Sequence, residues 1–84
     1  MHERDFMLYL DDIKDSINNI LLYTENISYD SFFSNNMRKD AAIRNIEIIG
    51  EAVKKIPEDI KTKYSNIEWR KIAGLNVMLI TILN

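Results

Sequence analysis

Apolar residues recur at spacings of three and four through most of this chain, and the phase of that recurrence divides it into helices. From Asp5 onward, Phe6, Leu10, Ile13, Ile17, Ile20, Leu21 and Thr24 form one stripe, with Asp11, Asp12, Lys14, Asp15, Asn18 and Asn19 between them. That spacing predicts a long amphipathic helix ending near Asn26. Leu8 and Leu22 fall on the far side of the helical wheel and Tyr9 and Tyr23 flank the stripe. Such a second apolar face would be a reason to dimerise.

Glu25 to Ser31 reads as a connection, with Ser28 or Asp30 as the cap of the next helix. Phe32 and Phe33 open this second helix, which runs through Asn35, Asn36, Met37 and Arg38, and the polar run Ser34-Asn35-Asn36 is where it would bend or break. Its main stretch is Ala41 to Ile56, AAIRNIEIIGEAVKKI. Ala41, Ala42, Ile46, Ile48, Ile49, Ala52, Val53 and Ile56 share one arc, and Arg44, Glu47, Glu51, Lys54 and Lys55 share the other. Two residues break the pattern. Asn45 is an amide inside the apolar arc, and Gly50 costs about 1 kcal/mol relative to alanine in a helix interior, which implies close approach of another backbone.

Pro57 ends that helix, because it lacks an N–H and disfavours a helical conformation in the residue before it. It also suits the first position of a short helix with Glu58 and Asp59 at one end and Lys61 and Lys63 at the other. Tyr64-Ser65-Asn66 breaks this helix, and Asn66 is placed to cap a further turn, Ile67 to Ala73, that carries Trp69 and Ile72 inward. Gly74 follows as a C-cap or hinge. The final LNVMLITILN has neither a clean 3.6 nor a clean 2.0 period and no charge, and it would aggregate unless buried.

Composition narrows the class. The 84 residues contain no cysteine and a single histidine, His2. This leaves no disulfide framework, no thiolate chemistry and no metal-ligand cluster, and no cofactor is expected. One small domain over residues 1–84 is expected, and a chain of this length buries only about 60–65 % of its unfolded surface, so oligomerisation is a live expectation. The charged MHERDF start and the lack of an 18-residue apolar run point to a cytoplasmic protein without a membrane span. Residues 1–30 carry seven acidic and two basic side chains, net −5, and residues 31–84 six acidic and nine basic, net +3. The late cluster of Lys54, Lys55, Lys61, Lys63, Arg70 and Lys71 could meet phosphates, although charges of this kind are commonly solvated helix faces.

The run Arg44-Asn45-Ile46-Glu47-Ile48-Ile49-Gly50-Glu51-Ala52, followed by Pro57, Tyr64, Ile67, Trp69, Ile72, Ala73, Gly74 and Leu75, resembles the HepT-like branch of the HEPN superfamily. These are toxin partners of minimal nucleotidyltransferase antitoxins. The R-N-x-E-x-I-G-E-A block and the W-x-x-I-x-G turn carry the resemblance, which runs over essentially the whole chain. It implies an all-α antiparallel helical bundle of the HEPN four-helix type, a homodimer, and metal-independent endoribonuclease activity on RNA. It also implies a supporting cleft of Arg44, Asn45, Glu47, Gly50 and Glu51 opposite the catalytic segment, with Ile46, Ile49, Trp69 and Ile72 in the core.

The family's active site is an arginine, four to six residues, a histidine, one residue and a tyrosine. Histidine titrates near neutrality and can move the 2′-hydroxyl or leaving-group proton, and arginine offers a cationic fork to the phosphate. The tyrosine is where the antitoxin attaches AMP. By the resemblance these positions fall on Asn76, Thr81 and Leu83, so all three side chains are absent and no catalytic residue is intact. The chain also stops where relatives continue into another helix, and this shorter C-terminus is expected to lack that element. Ile80-Thr81-Ile82 can be encoded ATC-ACG-ATA, whose shifted frame contains CAC-GAT, His-Asp, a pair common at the family's histidine. A frameshift between about Leu75 and Ile80 is therefore expected, and a locus with no H-x-Y in any downstream frame would refute it.

Three functions remain open on the sequence. One is a HEPN-type toxin by descent with its catalytic motif lost. Another is a non-enzymatic helical dimerisation or interaction module. The last is a residual nuclease working through Arg44, Glu47, Glu51 or Arg70, with Glu47 and Glu51 one helical turn apart; an exposed charged face explains that pair equally.

Overall fold

The computed structural model describes residues 1–83. Five helices follow one another: α1 (Glu3–Thr24), α2 (Tyr29–Ser34), α3 (Asn36–Lys55), α4 (Glu58–Lys63) and α5 (Trp69–Leu83). There is no strand among the described residues, so the fold is the all-α bundle that the periodicity predicts. No helix in it is long and apolar enough to cross a membrane.

α3 is the centre. It packs against α1 on one side and α5 on the other, and α2 rests on its first half. Two clusters fix the directions of the helices. At one end Phe6 of α1 and Trp69 of α5 meet Val53 and Ile56 at the end of α3. At the other, Leu83 meets Phe32 of α2 and Ala42, Ile43 and Ile46 near the start of α3. α1 and α5 therefore both run antiparallel to α3 and parallel to each other, in a body 41 × 21 × 18 Å.

Local chemistry sets the boundaries. Asn26 takes the left-handed conformation, φ 53°, just after α1, a role asparagine fills at low cost. The Oγ of Ser28 accepts from the N–H of Ser31 and caps α2. The run Ser34-Asn35-Asn36 does break the helix, and the Oδ1 of Asn35 accepts from the N–H of Arg38 to start α3. Pro57 sits one position earlier than the sequence suggests, at the N-cap of α4 rather than inside it. α4 carries Glu58 and Asp59 in its first turn and Lys61 and Lys63 in its last, matching the helix dipole.

Two expectations about the last helix are corrected. Asn66 does not cap it; α5 starts at Trp69, and the carbonyl of Glu68 accepts from the N–H of Ile72. Nor is Gly74 a cap or hinge. α5 continues unbroken through it to Leu83, and nothing lies within 4 Å of where a Cβ would stand. The aperiodic tail is thus helix, because residues at its 3.6-fold positions find α3 while the rest of its apolar surface stays exposed.

Asn45 explains itself once α1 is in place. It is buried, its Oδ1 accepts from Asn19 Nδ2 at 3.1 Å, and its own Nδ2 donates to the Ala41 carbonyl at 2.9 Å. An amide pair inside an apolar contact fixes the register of α1 on α3, since sliding either helix by one residue would leave both groups unpaired.

Two stability measurements test these assignments. Gly74→Ala gains helix propensity with no clash and is expected to raise stability by about 0.5–1 kcal/mol in urea unfolding. Asn19→Ala, which strands the buried Oδ1 of Asn45, is expected to cost about 1–3 kcal/mol, and Asn19→Leu with Asn45→Leu together much less.

Candidate functional site

The positions of interest lie along α5. Asn76 and Leu83 are seven residues apart, two helical turns, and so share a face. Thr81 stands about 140° away from Asn76.

That geometry sends the three side chains into different surroundings. Asn76 is half-buried and faces α3 at Gly50. A Cβ built on Gly50 would collide with Asn76 Nδ2 and stand 3.1 Å from its Cγ. The close neighbour that Gly50 permits is therefore a side chain and not, as the sequence pattern implies, a backbone. Thr81 is exposed, and its Oγ1 donates to the carbonyl of Val77, 2.9 Å away, one turn back in the same helix. Leu83 is buried in the cluster with Phe32, Ala42, Ile43 and Ile46. An amide, a hydroxyl turned onto its own backbone and a buried aliphatic group offer hydrogen bonds and packing, but no charge and no group that titrates near neutrality.

The candidate cleft residues on α3 divide as well. Gly50 contacts α5, and Asn45 is committed to α1. Arg44 and Glu51 are exposed and Glu47 is half-buried. The five are thus spread around α3 rather than gathered on one face, because residues 44, 47 and 51 follow one helical row while 45 and 50 lie off it. Ile46 and Trp69 are buried, and Ile49 and Ile72 are half-buried against the core. Trp69 Nε1 donates to the carbonyl of Tyr64 at 3.3 Å, and the ring of Tyr64 stacks on Phe6 with centroids 5.0 Å apart.

Two hollows border these residues. Arg70 helps line one of about 710 Å³ with Glu58, Lys61, Glu68 and Trp69. The other, about 270 Å³, lies between α1 and α5 and is floored by Ile46 and Ile49 of α3. Asn76 is the single polar residue among the ten that line it. The 3–4 spacing of Ile17 and Leu21 predicts that they are inward, but they are exposed on the rim of this groove. Asn19, a polar-face residue by sequence pattern, pairs with α3 instead, and its neighbour Ser16 is buried. The available signal is that both are small polar residues flanking an apolar stripe.

Asn76 and Gly50 should be coupled. Gly50→Ala gains about 1 kcal/mol of helix propensity but must displace the Asn76 carboxamide, so it is expected to leave stability unchanged or slightly lower; in an Asn76→Ala background the full gain returns. A double-mutant cycle reads this directly, and a coupling indistinguishable from zero would contradict the contact.

Comparison with known proteins places this geometry. Residues 13–80 match the family described as Ribonuclease HepT-like. A protein of Methanocaldococcus jannaschii named "Putative RNase MJ1216" is 42 % identical over 80 residues, 95 % of this chain and 66 % of the relative. A second from that organism, "Putative RNase MJ0125", is 42 % identical over 80 residues, covering 95 % of this chain and 69 % of the relative. "Probable ribonuclease HepT" of Thermococcus cleftensis is 40 % identical over 72 residues, 86 % of this chain and 66 % of the relative. The chain thus spans about two thirds of the length of these relatives. No solved structure matches it significantly. On the family match and these identities, carried by a helical bundle with Gly50 against α5, the chain belongs to the HepT-like ribonuclease family.

Proposed function

We propose that this chain is a single-domain HEPN-type toxin component by descent, partnered in the cytoplasm by a nucleotidyltransferase-type antitoxin, and that it does not cleave RNA. What supports the reading is the content of α5: the positions that the resemblance assigns to arginine, histidine and tyrosine hold Asn76, Thr81 and Leu83. Each replacement is expected to cost about 10² to 10⁴ in rate. The chain's histidine does not substitute. His2 precedes α1, at the bundle end where Phe6 meets Trp69, and positions 81 and 83 lie at the other end of α5, about 20 Å along the axis. Leu83 also leaves no phenol at the position where the resemblance puts attachment of AMP.

The homodimer belongs to the same reading. It is supported by the apolar surface that α5 leaves uncovered. The second reading, a helical interaction module that never acted on RNA, is favoured by that same surface. Residual catalysis through the charged residues of α3 has less support, since Arg44 and Glu51 face solvent and none of Arg44, Glu47 and Glu51 lines either hollow above.

An RNA-cleavage assay on the unaltered chain beside Asn76→Arg, Thr81→His and Leu83→Tyr combined separates the readings. Cleavage only by the altered chain is the expected result, and cleavage by the unaltered chain would overturn the proposal. Leu83→Tyr alone enlarges a buried side chain and is expected to cost about 1–3 kcal/mol, so the altered protein is first checked for helix content. Co-purification with a neighbouring nucleotidyltransferase tests the partner.

A further inference from the structure

We draw no further inference here: the strongest candidate, the hollow of about 710 Å³ between α4 and the start of α5, is lined by as many carboxylates, Glu58 and Glu68, as cations, Lys61 and Arg70, and among the described residues no buried side-chain polar atom is left without a partner to point to a ligand there.

Discussion

One helix has to serve as the inner partner of two others, and that constraint shapes the rest of the molecule. α3 gives one side to α1 and the other to α5, so its apolar arc is wide, with Ala42, Ile43, Ile46, Ala52, Val53 and Ile56 all buried. Both contacts are close, and each is allowed by a residue that a generic amphipathic helix would not carry. On the α1 side Asn45 is paired with Asn19. On the α5 side Gly50 leaves room for Asn76. A side chain in place of the glycine pushes on α5, and an unpaired amide in place of the pair costs its full desolvation.

The helices themselves were legible because their causes are local. Ser28 as the cap of α2, the break at Ser34-Asn35-Asn36, the stop at Ile56-Pro57 and the charge order of α4 follow from side-chain chemistry a few residues long. What failed depended on distant partners. Gly74 resembles a helix end when read alone, but α5 runs through it because residues on both sides of it bury against α3. Ile17 and Leu21 have the spacing of core residues, and only the separation of α1 from α5 leaves them exposed. Gly50 was recognisable as a close-approach site, whereas the identity of its neighbour required the register of α5.

The positions that carry chemistry in the proposed family site are built into this packing. Asn76 fills the notch at Gly50 and Leu83 completes a hydrophobic cluster, so two of the three serve stability as they stand. Thr81 is bonded to its own helix. Restoring the family's residues therefore alters packing as well as charge. The expectation that Asn76, Thr81 and Leu83 lack the proposed chemistry was legible in the sequence, because residue type alone decides whether a group can titrate or carry charge. The sequence did not reveal that α5 is continuous.

The contact between Gly50 and Asn76 is the point where α3 and α5 meet most closely, and it is directly observable in solution. Nuclear Overhauser effects are expected between the Gly50 α-protons and the Asn76 side-chain amide protons, together with helical backbone shifts from Trp69 through Leu83. Absence of those cross-peaks, with residues 75–83 showing random-coil shifts, would contradict the placement of α5 on α3.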